Sequence, residues 1–189
     1  MKNEIKIGTQ IWLTQNLNVD KFLNGDPIPE AQTAEEWERL AENSEPAWCY
    51  YDNDPANGEK YGKLYNWFAV IDSRGLAPNG WHIPSDDEWT ILDFLLEDDA
   101  VKSGKKIKSI SGWDKDGNGN NESGFTGFPG GCRGYNGIFL GIGCSGYWWT
   151  TSEDDTNGAW GRGLSYNYDT VYKDGGGKGS GLSVRCLRD

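Results

Sequence analysis

From residue 5 to residue 17, apolar and polar positions alternate around Trp12. A period of two predicts one strand, running into a polar turn at Asn16. The period changes at Thr33, where residues 33–40 have the spacing of a helix. Thr33 and Glu36 form the pattern of a capping box, in which a hydroxyl and a carboxylate satisfy orphan backbone N–H groups at a helix start. Ser85 and Glu88 repeat the device behind Pro84, and Trp89, Leu92, Leu95 and Leu96 then recur on one helical face. Between the two helices, residues 61–71 (YGKLYNWFAVI) are dense in rings and branched side chains. This stretch is expected to bury its rings against the second helix.

Past Trp113 helical periodicity disappears, glycine becomes the commonest residue, and Asn, Asp, Ser and Tyr fill the gaps. Short strands between glycine turns are expected at residues 146–151, 160–166 and 182–187. Apolar residues keep returning at strand spacing, which argues against disorder. The pattern predicts one α+β domain over residues 1–189, helices first and a small irregular sheet last.

Composition narrows the function. The 189 residues are 36% hydrophobic and include ten Trp, nine Tyr and six Phe, enough for one packed core. A formal net charge of −11, with no dense Lys/Arg run, argues against nucleic acid and anionic membrane surfaces as partners. The start has no apolar signal core, and nowhere do eighteen apolar residues run together, so a soluble chain without membrane insertion or signal peptide is expected. Phage particle, cell surface by fusion and cytoplasm all remain open as locations. Cys49, Cys132, Cys144 and Cys186 lie far apart without a CxxC spacing. Four free thiols are the default, and disulfide pairing is the alternative for an exported protein.

Six words stand out in order: IWLTQNL, YGKLYNWFAV, GWHIPSDDEW, NESGFTGFPGG, GYWWTTSE and SVRCLRD. Together they resemble the Fibrobacter succinogenes major domain family, over nearly the whole chain. The resemblance implies a C-type-lectin-like fold, akin to the formylglycine-generating sulfatase-modifying domain. In that fold two helices flank a small twisted antiparallel sheet, with long glycine-rich loops on one side. Family members commonly carry a cysteine before the Pro-x-Gly-Trp-His word, where this chain has Ala77. The resemblance thus implies that Cys186 has lost its usual partner; pairing with Cys49 stays open.

The last third also resembles the variable region of proteins diversified by retroelements, which display residues from adenine-rich codons on a lectin-like scaffold. In residues 134–181, fixed-looking Trp148, Trp149, Glu153, Trp160 and Arg162 alternate with residues of the set such mutation produces, for example Gly163, Thr170, Gly175, Gly177, Gly179 and Ser180. Cys132 and Cys144 fit the same origin. Residues 1–129 would then be the scaffold with both helices, and residues 130–189 the ligand-displaying region. Tyr supplies rigid contact area and small polar residues adapt their hydrogen bonds. On that ground Tyr135, Asn136, Tyr147, Trp160, Ser165, Asn167, Tyr168, Asp169, Tyr172 and Asp174 are the candidate ligand contacts. As a bland alternative they are solvated turn residues.

Asp114, Asp116, Asn118, Asn120 and Glu122 imitate the first half of a calcium loop, but Phe125 stands where the bidentate glutamate belongs. No cofactor is required, and calcium held by these oxygens is kept as a candidate. His82 is the one histidine and reads as a hydrogen-bonded structural residue at a helix start; Ser85 reads as an N-cap. Asp86, Asp87, Asp154 and Asp155 read as helix-start and loop charges. The sulfatase-modifying relatives use two cysteines close in sequence, which this chain lacks. The expected function is therefore non-catalytic recognition of a protein or glycan receptor. A conventional carbohydrate-binding or cell-surface module, assisted by calcium, is the second reading.

Overall fold

A computed structural model describes residues 3–97 and 102–189. The alternating start is two strands: β1 (Glu4–Ile7) and β2 (Gln10–Leu13) pair as an antiparallel hairpin. The period of two survives a tight turn, so the reversal at Gly8 was invisible in the pattern. Gly8 has φ +58°, and the Leu95 side chain closes over it, leaving no room for a Cβ. Leu95 covers this turn from the rim of the core and is more exposed than the buried Trp89, Leu92 and Leu96.

Both capping boxes form. Helix α1 (Ala34–Glu42) starts at Thr33, and its Trp37 and Leu40 are buried. Three short helices follow, α2 (Pro55–Tyr61), α3 (Trp67–Val70) and, after the longer α4 (Asp86–Leu96), α5 (Ser103–Ile107). Strands β3 (Trp48–Cys49) and β4 (Leu64–Tyr65) pair with each other. Strand β5 (Trp81–His82) and the last strand, β11 (Leu187–Arg188), complete the first sheet in the order β1-β2-β11-β5. The sheet is thus not confined to the C-terminal part: the chain's beginning and end pair side by side.

Residues 130–177 build the larger sheet from β6 (Gly130–Arg133), β7 (Phe139–Ile142), β8 (Ser145–Glu153), β9 (Gly158–Ser165) and β10 (Tyr172–Gly177). Its order is β10-β9-β8-β6-β7, antiparallel except where β6 meets β8. The observed class is α+β, as the patterning predicts.

Strand β8 is covered on both faces because successive tryptophans point opposite ways. Trp148 joins Trp12, Trp89 and Phe125, with ring centroids 5.0–6.1 Å apart. Aromatic pairs of this kind contribute about 0.5–1.5 kcal/mol each beyond area burial. Trp149 enters the other cluster with Tyr65 and Trp67, and its indole N–H donates to the Tyr65 carbonyl. Residues 61–71 therefore pack against β8, whose Thr150 carbonyl accepts from the Trp67 indole, instead of against the second helix.

Three buried cations hold the loops. Arg133 donates to the carbonyls of Gly137, Ala31 and Thr33 between the Trp37 and Phe139 rings. Arg185 donates to the Leu13 and Phe125 carbonyls and to Asn16 Oδ1. Lys108 donates to the carbonyls of Ser165 and Tyr168. All three serve backbone carbonyls of loops and strand ends, satisfying groups whose burial would otherwise be costly.

Candidate recognition face

The register of the larger sheet sorts its side chains. Gly163 pairs with both Tyr147 and Tyr172, and Gly161 with both Trp149 and Asp174. Residues directly opposite share a face, so Tyr147, Tyr172, Asp174 and Gly176 project on one side, above a β9 that contributes Gly161 and Gly163. The other side carries Trp148, Arg162 and Lys173.

On the first side lies a groove of about 250 Å3, lined by Cys132, Leu140, Tyr147, Gly161 and Asp174. Its floor includes the Gly161 backbone of β9, while Gly163, two residues along, lies under the Tyr172 ring. Tyr172 flanks it edge-on to Tyr147, with ring centroids 6.4 Å apart. Burial and a hydrogen bond to Tyr147 hold the Tyr172 phenol well above the usual tyrosine range. Burial, aided by the Asp174 charge, pushes the Cys132 thiol up to about 11. The groove is thus apolar and aromatic, with one carboxylate at its rim. Such a surface can hold a ring or an aliphatic stem and orient it through a single charge.

Two further depressions adjoin it. One, of about 530 Å3, runs between α1 and the end of β10, lined by Glu38, Glu42, Phe68, Tyr135 and Gly179. Another, of about 240 Å3, lies by Asp154, Asp155 and the Gly175, Gly176 and Gly177 backbone.

The candidate contacts therefore divide. Tyr147 and Asp174 line the groove, Tyr172 flanks it, and Tyr135 lines the neighbouring depression. Asn136 is spent locally, its Oδ1 accepting the Ile138 N–H in the β6–β7 turn. Trp160 lies on the opposite face under the Lys173 ammonium, 3.8 Å from the ring centroid. Lys173 in turn pairs with Asp86, which also binds Arg162.

Ser165 ends β9, and Asn167, Tyr168 and Asp169 belong to the turn that follows it; none of the four lines the groove. The turn wraps the Lys108 ammonium: Asp169 Oδ1 lies 3.3 Å from a side chain with no exposed surface. Burial pulls the Lys108 pKa down while Asp169 opposes it. Asp169 is thus the counter-ion of a buried lysine. Ser165 Oγ donates to Asn167 Oδ1, and Tyr168 stands exposed by itself.

In the calcium-like segment, Asn118 Oδ1 accepts the Trp113 N–H, Asn120 Oδ1 accepts the Glu122 N–H, and Asp114 Oδ2 accepts from the Cys144 thiol. These oxygens fold the loop on itself. Asp116 and Glu122 are exposed, and among the described residues no three His, Cys, Asp or Glu gather as a metal site.

His82 is held between two carboxylates, Nδ1 to Asp189 at 2.8 Å and Nε2 to Glu88 at 2.9 Å. Burial opposes its charge, but the two hydrogen bonds outweigh this and raise its pKa. Ser85 caps α4 and donates its hydroxyl to Glu88. All four cysteines are free, and burial pushes the thiols of Cys49 and Cys186 up to about 12. The pairing of Cys186 with Cys49 left open above is not formed. Ala77 sits in the same core cluster as Cys186.

Sequence reasoning missed Arg133, Lys108 and Leu140. A lone basic residue inside a glycine-rich strand, as in GGCRG, was the available signal for Arg133. Leu140 carried none, because its role depends on which strand lies beside it.

No curated protein and no solved structure matches the chain. The profile of the Fibrobacter succinogenes major domain matches residues 5–188, nearly the whole chain, in agreement with the six words of the sequence. The chain therefore belongs to the Fibrobacter succinogenes major domain family.

Proposed function

We propose that this protein is a non-catalytic recognition protein that displays a ligand-binding face on a C-type-lectin-like scaffold, in the manner of retroelement-diversified variable proteins. The observation that carries the reading is the convergence of Tyr147, Tyr172 and Asp174 around the bare Gly161 backbone. Rigid rings, a bare floor and one rim charge are what adaptable recognition needs. The free thiols and the doubly bonded His82 support binding over catalysis, since each has a structural account.

The retroelement reading is supported by where glycine is sterically optional. A Cβ at Gly177 would touch nothing, whereas at Gly163 it would take the place of the Tyr172 ring, so positions 163 and 172 can vary only together. Gly177 can accept other side chains outright, whereas Gly179 faces Ala41 of α1. The reading therefore places diversity at residues 163 and 172–177 and excludes Gly179. Deep sequencing of the gene's 3′ end across a host population tests it. Variation should concentrate at adenine positions of codons 163 and 172–177; sparse uniform variation defeats the diversified reading.

A conventional carbohydrate-binding module is the second reading, favoured by the Tyr147 and Tyr172 rings, whose faces suit sugar stacking. A glycan array with the full chain and with Tyr147→Ala separates the two. One glycan class bound across related sequences and lost in the variant selects the sugar module.

A further inference from the structure

Three consecutive glycines end β10, and none has a positive φ that would require it. A Cβ at Gly176 would press on the buried Trp149 ring at 3.3 Å, and one at Gly175 would lie 2.9 Å from Asp154 Oδ2, but at Gly177 it would meet nothing within 4 Å. Glycine inside a strand weakens it, and at Gly177, where neither packing nor dihedral explains it, close approach of another backbone is the remaining cause.

β10 is an edge: the sheet order begins with it, and on its outer side no described strand pairs. Edge strands are ordinarily blunted by an outward charge. Here the two available lysines are turned away. Lys173 lies over Trp160 and pairs with Asp86 at 2.8 Å; Lys178 lies over Trp67 and pairs with Glu153 at 2.8 Å. Lys173, Asp174, Gly175 and Gly177 are exposed.

The surroundings of this edge are acidic. Asp174 rims the groove on one side, Asp154 and Asp155 lie by the glycines, and Glu38 and Glu42 line the depression at its far end. Among the described residues none of these five carboxylates has an ion-pair partner. Three of them stand near a ring or an apolar wall, Asp174 by Tyr147 and Leu140, and Glu38 and Glu42 by Phe68 and Tyr135. A carboxylate beside an aromatic surface suits the charged head and apolar stem of lysine or arginine.

We propose that the outer edge of β10 takes up an extended, lysine- or arginine-bearing segment of a partner protein as an added strand of the sheet. Main-chain hydrogen bonds to the glycine edge supply the affinity, and alternate side chains reach the acidic depressions on the two faces. This rests on the reading of the sheet face as a recognition surface and names the chemistry of its partner.

The test uses the full chain and a fluorescent peptide of five lysine–valine repeats, followed by anisotropy. Three comparisons accompany it: the same peptide N-methylated at every backbone amide, the glutamate–valine counterpart, and the double variant Asp154→Asn with Asp174→Asn. Saturable binding of the lysine peptide is expected, weakened about tenfold or more by N-methylation and by the double variant, with none for the glutamate peptide. Equal binding of the methylated and unmethylated peptides overturns the proposal, because charge alone would then suffice. Absence of lysine-peptide binding overturns it as well. If in that case an array ligand is still lost on Tyr147→Ala, the recognition face stands and only the added strand falls.

Discussion

Tyr172 and Gly163 lie opposite each other across β10 and β9, and the tyrosine ring occupies the space where a glycine side chain would project. The tyrosine is therefore partly structural. Tyr172→Ala should destabilise the protein by about 1–3 kcal/mol in urea denaturation, and Tyr168→Ala by less than about 0.5 kcal/mol. Equal effects would place both rings in solvent.

The glycines of the last third should not be equivalent. Gly177→Ser should leave the melting temperature unchanged. Gly181→Ser should lower it clearly, because a Cβ there lies 2.8 Å from the Trp37 indole. Overpacking of this kind costs about 1–3 kcal/mol. Parallel thermal melts check the pair.

The His82 clasp makes stability depend on pH. The folded pKa of His82 is raised, so its contribution is complete below the unfolded value of 6.5 and is lost as pH rises through the folded value. Glu88 has a lowered pKa: burial opposes the charge, but hydrogen bonds from Ser85 and His82 outweigh it. Its share is present above the unfolded value of 4.5 and is lost as pH falls through the folded one. The clasp should therefore be strongest in the mildly acidic range between these two limits. Denaturation midpoints across pH should show this slope in the native protein and a flattened alkaline limb in His82→Gln.

Two capping boxes allow a graded comparison. Thr33→Ala should cost about 1 kcal/mol, the ordinary value for a lost N-cap. Ser85→Ala should cost more, because Ser85 also positions the Glu88 carboxylate that receives His82. Chemical denaturation of the two variants decides the order.

Arg185→Met should be among the most damaging single changes. It takes the guanidinium donor from the Leu13 and Phe125 carbonyls, while Asn16 Oδ1 keeps the Trp148 indole N–H. Each buried acceptor left unsatisfied costs about 1–3 kcal/mol. The yield of folded protein and its near-ultraviolet circular dichroism report the loss.

Local chemistry was legible in the chain. The spacings Thr33/Glu36 and Ser85/Glu88 set both main helix starts, because a capping box involves only residues three apart. The apolar stretch at residues 146–151 between glycine turns marked part of β8, because both signals are local. Aromatic content and the run of glycines marked the last third as a place of short strands and tight approaches. What depended on residues far apart was not legible. Gly8 turned one apparent strand into a hairpin, and β11 joined it from the far end of the chain. Register alone put Tyr147, Tyr172 and Asp174 on one face and Trp160 on the other. Asp169 became the counter-ion of Lys108, a residue 61 positions away. The sequence by itself determined where the two capped helices begin, since a capping box acts over a few residues. Only the tertiary structure decided which of the tyrosines and aspartates share a surface, since one step of register moves a side chain to the opposite face of a sheet.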